Sequence, residues 1–93
     1  MSSAPANLSA ERIEALLRAA LEPTALEVED DSRRHAGHAG AREGRHYTVR
    51  VASARFRGLA PLARHRLVYD ALGPLAPQGV HALAIVARLP EEA

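Results

Sequence analysis

Histidines are the side chains in this sequence that are best suited to chemistry: the chain contains five of them and no cysteine. His81 interrupts the otherwise apolar run GVHALAIVARL at residues 79–89. His35 and His38 lie in the segment DSRRHAGHAGAREGR, and His46 follows that segment directly. Neutral imidazole is the commonest metal ligand in proteins and suits iron, zinc and copper. The sequence therefore predicts imidazole chemistry, while any thiolate must come from another molecule.

The first elements that would position these histidines follow from the hydropathy pattern. Ser9 is a favourable helix N-cap, apolar residues follow it at helical spacing, and Pro23 ends the pattern. The apolar positions are Ile13, Leu16, Leu17, Ala20 and Leu21. Residues 25–30 and 46–52 then alternate apolar and polar side chains, which is typical of strands with one exposed face. We expect one amphipathic helix followed by two antiparallel strands.

The second half of the chain adds a helix and a third strand. Pro61 can occupy the first turn of a helix, and Gly73-Pro74 ends it. Its apolar face consists of Val68, Ala71 and Leu72. A strand, helix, strand connection normally returns parallel, so the third strand should run parallel to the second. The order predicts an α+β fold in which a three-stranded mixed sheet is covered by helices on one face.

This topology brings four histidines to one edge of the sheet. Parallel strands begin at the same edge, so His81 should lie near the segment that leads into the second strand. That segment has about fourteen residues, whereas hairpin loops have about two to five, and loops this long tend to be functional or disordered. It carries His35 and His38, with His46 just beyond.

Each of these histidines also has a structural interpretation that remains open at this point. His81 could be hydrogen-bonded to backbone at a strand end, and His35 and His38 could belong to a solvated polar loop. The HAGH spacing fixes no geometry outside a helix. His46 alternates onto the same strand face as Arg50, which predicts a surface position.

Composition sets the broad class of protein. With 93 residues, 47% of them apolar, the chain fits one small domain, expected at residues 9–89 with flexible ends at 1–8 and 90–93. No stretch approaches a membrane span or a secretory signal, so a cytoplasmic protein without membrane contact is expected. The chain lacks a cysteine nucleophile, a phosphate-binding glycine loop and an evident carboxylate pair, so we expect no enzymatic activity.

A basic cluster occurs before and within the second helix. Its candidate phosphate contacts are Arg55, Arg57, Arg64 and Arg66. Such contacts would be salt-sensitive and would carry no sequence information. Alternatively, Arg64 and His65, which flank the apolar face, dock the helix through half-buried hydrogen bonds, while Arg66 points elsewhere.

At these residues the chain resembles a known family. The pattern F-x-G-x-x-x-L-x-R-H-R-x-V-Y at 56–69, followed by V-H-A-L-A-I at 80–85, strongly resembles the BolA family, over about residues 9–89. The RRHAG segment around His35 is similar to the histidine-bearing loop of some members. The resemblance implies an α-β-β-α-α-β arrangement similar to the class II K-homology fold, with a short extra turn that we expect near Leu59 to Leu62.

The resemblance also implies a partner and a cofactor. BolA proteins pair with monothiol glutaredoxins that carry the Cys-Gly-Phe-Ser (CGFS) motif, and the pair shares a two-iron, two-sulfur (2Fe–2S) cluster. Glutaredoxin and glutathione supply sulfur, and the BolA protein supplies a histidine that matches His81, often with a loop residue that matches His35. His38 is an additional candidate for that second ligand. The implied function is a non-catalytic adaptor in iron–sulfur cluster trafficking or iron regulation, with a monomeric apo form.

A second function is a nucleic-acid-binding transcriptional regulator, since K-homology-like folds bind single strands and some BolA proteins are described as regulators. K-homology domains clamp the nucleic-acid backbone with a GxxG loop between two helices. This chain has Gly37-His38-Ala39-Gly40, but between strands, and its three aromatic residues give no stacking platform. The partner that this alternative function implies is DNA.

Overall fold

The computed structural model describes residues 8–31 and 45–93. Its elements, in chain order, are helix α1 (Ala10–Leu21), strands β1 (Ala25–Asp30) and β2 (Arg45–Ala52), helix α2 (Pro61–Leu72) and strand β3 (Val80–Arg88). Short 3-10 turns occur at Ala54–Phe56, Ala76–Gln78 and Pro90–Glu92. The predicted α+β class and element order are confirmed.

Helix α1 forms where the hydropathy pattern places it. The Ser9 side chain accepts a hydrogen bond from the Arg12 N–H at 3.1 Å, which caps the first turn. The fully buried residues of α1 recur at every fourth position: Ile13, Leu17 and Leu21. Leu16 is half-buried and Ala20 is exposed, so the buried stripe is narrower than predicted.

The sheet has the order β1, β2, β3, with β2 in the centre. Strand β1 pairs with β2 in antiparallel orientation, and β2 pairs with β3 in parallel orientation. The predicted mixed sheet is therefore confirmed. Helix α2 provides the crossover that a parallel connection requires.

Both helices pack on one face of this sheet. The shared core contains three residues of β2, Tyr47, Val49 and Val51, together with α1 and two residues of α2, Val68 and Leu72. Alternate residues of β2 lie on the opposite face, where Arg50 pairs with Glu29 at 3.1 Å. The core thus lies between the helices and one side of the sheet.

The extra turn before α2 lies at Ala54–Phe56, so the prediction near Leu59 to Leu62 was wrong. Ser53 caps this turn by accepting a hydrogen bond from the Arg55 N–H. Gly58 follows with a φ of 81°, a left-handed conformation that ends the turn and favours glycine. Pro61 then occupies the first turn of α2, as predicted.

Both ends of the described residues make contacts with the rest of the fold. Leu8 is 2% exposed, and its N–H donates to the Gln78 carbonyl. Residues Pro90–Glu92 form a 3-10 turn whose glutamates pair with arginines of the basic cluster. Leu8 and this C-terminal turn therefore contact the rest of the domain. Residues 1–7 lie outside the described residues, and the domain bounds at residues 9 and 89 stay a prediction.

Candidate functional site

The candidate site lies at the edge of the sheet where β2 and β3 both begin. The Arg45 N–H donates to the Gly79 carbonyl at 2.9 Å, which joins the residues that lead into the two strands. Arg45 is aligned with Val80, and His46 is aligned with Ala82. The predicted proximity of His81 to the start of β2 follows from this parallel register.

The chain before β3 fixes the direction in which that strand starts. After α2, the 3-10 turn Ala76–Gln78 ends at Gly79, whose φ of 82° lies in the left-handed region. Val80 is then buried and donates its N–H to the Leu75 carbonyl at 3.1 Å. This anchor places the next residue, His81, at the surface.

His81 occupies an irregularity in the pairing of β2 with β3. Consecutive residues of β2, Arg45 and His46, align with Val80 and Ala82, so His81 has no aligned residue on β2. A bulge of this kind redirects a side chain, and bulges are frequent at functional sites. His81 is exposed. The arrangement presents an imidazole to solvent at the start of β3, an edge strand in which only Val80 is fully buried.

His46 lies beside His81. Their ring centroids are 5.1 Å apart and the ring planes are inclined by 53°. His46 is half-buried, and by alternation its side chain is on the same face of β2 as Arg50, as predicted. The sequence therefore placed His46 on the correct face and at the same edge as His81, and the ring contact agrees with that placement. The parallel pairing of β2 with β3 is what brings the two histidines together.

The chain that carries His35 and His38 leaves and re-enters the sheet at this edge. The Asp31 N–H donates to the His46 carbonyl at 2.7 Å, and Arg45 pairs with Asp30 at 3.4 Å. Thr48 also donates a short hydrogen bond to the Asp31 carboxylate. His35 and His38 themselves lie outside the described residues, so their role as ligands stays a prediction.

Carboxylates pair with three of the four arginines that were considered for phosphate binding. Arg55 pairs with Glu22, and Arg57 makes a bidentate contact with Glu91 at 2.9 and 3.0 Å. The hydrogen bond with Arg57 holds the pKa of the Glu91 carboxyl below its ordinary value. Exposed pairs of this kind neutralise the cluster locally, which does not favour phosphate contact.

Arg64 makes the docking contacts that one interpretation predicts. Its guanidinium donates to the Leu59 carbonyl at 2.9 Å and to the Ala87 carbonyl at 3.3 Å, and it contacts a Glu92 carboxylate oxygen at 3.1 Å. The Arg64 side chain is only 16% exposed. It therefore joins α2 to the end of β3, while His65 is half-buried and Arg66 is exposed.

A cavity of about 410 Å³ lies at the opposite end of the strands. Its lining includes Ala25, Ala52 and Arg88, which stand at the start of β1 and at the ends of β2 and β3. It is therefore separate from the histidine edge. No helix of the described part of the chain is long and apolar enough to cross a membrane.

Comparisons with known proteins agree with this architecture. The family model described as BolA-like protein matches residues 17–92. BolA-like protein 1 of Mus musculus is 46% identical over 80 residues, which cover 86% of this chain and 57% of that protein. The DNA-binding transcriptional regulator BolA of Escherichia coli (strain K12) is 47% identical over 75 residues, which cover 81% of this chain and 70% of that protein.

The similarity extends to solved structures. The BolA domain of SufE1 from Arabidopsis thaliana has a TM-score of 0.77 and 45% sequence identity, covering 90% of this chain and 94% of that one. The chain spans 24%, 54% and 57% of the lengths of three of its relatives, so they contain further sequence. Together, the family match, the sequence identities and the shared architecture show that this chain belongs to the BolA-like protein family.

Proposed function

We propose that the protein is a non-catalytic adaptor that binds a 2Fe–2S cluster jointly with a CGFS monothiol glutaredoxin, for cluster trafficking or iron regulation. The observation that carries this proposal is the exposed His81 at the irregular start of β3. The His81 imidazole is exposed, so a group held by a second protein can reach it. The buried Val80, one residue earlier, anchors the start of the strand.

The chemistry of the available ligands supports a shared cluster. A 2Fe–2S cluster takes four ligands, and thiolates are the usual ones. This chain has no cysteine, so all thiolates must come from glutaredoxin and glutathione, while His81 and a second imidazole come from this chain. Replacing a thiolate by a neutral imidazole makes the cluster less negative and raises its reduction potential. The expected cytoplasmic location and monomeric apo form stay predictions.

The test is anaerobic reconstitution of the cluster with a CGFS glutaredoxin and glutathione, followed by visible absorption and circular dichroism. We expect a mixed-complex spectrum that differs from that of the glutaredoxin alone and that His81→Ala abolishes. His65→Gln is the matched control, because His65 lies on α2 and not at the histidine edge. A mixed spectrum that is identical for wild type and His81→Ala would contradict the proposal, as would failure to form a mixed complex.

A second candidate function is DNA binding, which the similarity to the DNA-binding transcriptional regulator of Escherichia coli favours. The ion pairs of Arg55, Arg57 and Arg64 argue against a strong phosphate-binding surface. A gel shift at low and at moderate salt tests this function. A salt-sensitive shift that Arg66→Ala weakens would support it, because Arg66 is exposed and, unlike the other three arginines of the cluster, forms no ion pair among the described residues. Absence of a shift at both salt concentrations would exclude it.

A further inference from the structure

The distance between the rings of His46 and His81 has a chemical meaning of its own. Their centroids are 5.1 Å apart. In a zinc-type site each metal–nitrogen bond is about 2.0–2.1 Å, which puts each ring centre about 3.2 Å from the metal. At a tetrahedral angle, two such ring centres are about 5.2 Å apart. The observed separation is therefore close to that of two imidazoles on one metal ion.

The backbone explains why this separation can be maintained. His46 is half-buried on the central strand β2, so its ring is held by its neighbours. His81 is exposed in the bulge of β3, so its ring can adjust to a ligand. A fixed imidazole beside an adjustable one is an arrangement that can close on an ion without moving the sheet.

We propose that His46 and His81 form a two-imidazole chelate for a divalent transition-metal ion. The proposal goes beyond the shared cluster, because the pair binds the ion without glutaredoxin. Among residues 8–31 and 45–93, no group of three or more histidine, cysteine, aspartate or glutamate side chains is placed to hold a metal. An ion held by these two imidazoles alone has further coordination positions. Water or a ligand from a partner can occupy them, as in catalytic zinc sites.

Cu²⁺ is the most sensitive probe, because it heads the affinity series for nitrogen ligands and its paramagnetic resonance spectrum counts them. The experiment titrates Cu²⁺ into the tag-free apo protein by calorimetry and records the resonance spectrum of the one-to-one complex. We expect two imidazole nitrogens in wild type. Loss of either ligand should weaken binding at least about tenfold, since even the loss of a supporting residue costs that much.

Two variants of His46 keep the result interpretable if one of them fails to fold. His46→Ala removes the ring, and His46→Gln keeps a polar side chain of similar reach; circular dichroism establishes which variants are folded. His65→Gln should bind Cu²⁺ like wild type. The double variant His35→Ala/His38→Ala tests the loop histidines as alternative ligands.

The outcomes separate the possibilities. Weakened binding in the His46 and His81 variants, with unchanged binding in the double variant, supports the chelate. Unchanged Cu²⁺ affinity in folded His46→Ala or His46→Gln overturns it and leaves the ring contact as an ordinary tilted aromatic pair. The chelate is also overturned if His35→Ala/His38→Ala loses Cu²⁺ binding while the His46 and His81 variants keep it. No glutaredoxin is present, so this result is independent of the cluster reconstitution.

Discussion

Replacing Ser53 by alanine should destabilise the fold more than the same change at Ser9. Ser53 is fully buried, and its Oγ donates to the Leu21 carbonyl at 2.6 Å. That carbonyl belongs to the last turn of α1, where backbone carbonyls lack partners within the helix. The same Oγ accepts from the Arg55 N–H at 3.1 Å and so caps the following 3-10 turn. One hydroxyl therefore serves two backbone groups.

The expected magnitude follows from these two contacts. Leaving a buried carbonyl without its donor costs about 1–3 kcal/mol, and losing a cap costs about 1 kcal/mol. We expect Ser53→Ala to lower the free energy of unfolding by about 2–4 kcal/mol. Ser9 makes only the exposed cap contact with the Arg12 N–H, so Ser9→Ala should cost about 1 kcal/mol.

Urea unfolding followed by far-ultraviolet circular dichroism measures both variants against wild type. The denaturant dependence should be unchanged, because neither substitution alters the surface that unfolding exposes. In a domain of this size each kcal/mol lowers the Tm by roughly 4–8 °C, so a thermal scan gives a second measurement. Equal costs for the two substitutions, or a smaller cost for Ser53→Ala, would show that the buried hydroxyl contacts do not stabilise the fold as argued.

Two further predictions concern single side chains. Tyr47→Phe removes the 2.8 Å hydrogen bond to the Leu8 carbonyl and should cost about 1 kcal/mol at neutral pH. Burial raises the pKa of the Tyr47 phenol above its ordinary value of 10.0, so the unfolded chain loses this proton first. Wild-type stability should therefore fall as pH rises past about 10, less steeply in Tyr47→Phe, and parallel profiles would contradict this. Arg64→Ala should cost about 2 kcal/mol through its lost carbonyl contacts, whereas exposed Arg66→Ala should stay within about 0.5 kcal/mol; equal losses in urea unfolding would refute the docking role.

Local patterns were sufficient to predict the main elements of this fold. Helix α1 begins after Ser9 because its side chain can cap, and α2 ends before Gly73-Pro74 because that pair cannot continue a helix. The position of the short turn at Ala54–Phe56 was predicted wrongly. The turn depends on the Ser53 side chain, which also donates a hydrogen bond to the Leu21 carbonyl, far away in the sequence. Contacts of this kind leave no periodic signal.

The candidate site was predictable to the level of strand topology. Parallel pairing placed His81 and the start of β2 at one edge, and the structure shows this. His46 was placed at this edge as well, but its direct ring contact with His81 was not predicted, because the bulge depends on a register shift that alternation alone does not reveal. The basic cluster was ambiguous for a similar reason: its partners Glu22, Glu91 and Glu92 lie on other segments of the chain.

The parallel pairing of β2 with β3 also determines when the histidine edge exists during folding. His46 and His81 meet only after the chain has passed through α2 and returned to the sheet, and such non-local pairings form slowly. A partly folded chain with only the β1–β2 hairpin has neither the paired edge nor the close imidazoles. A ligand that needs both rings would bind the native state alone and shift the folding equilibrium towards it. Metal binding at this edge would thus report completed folding.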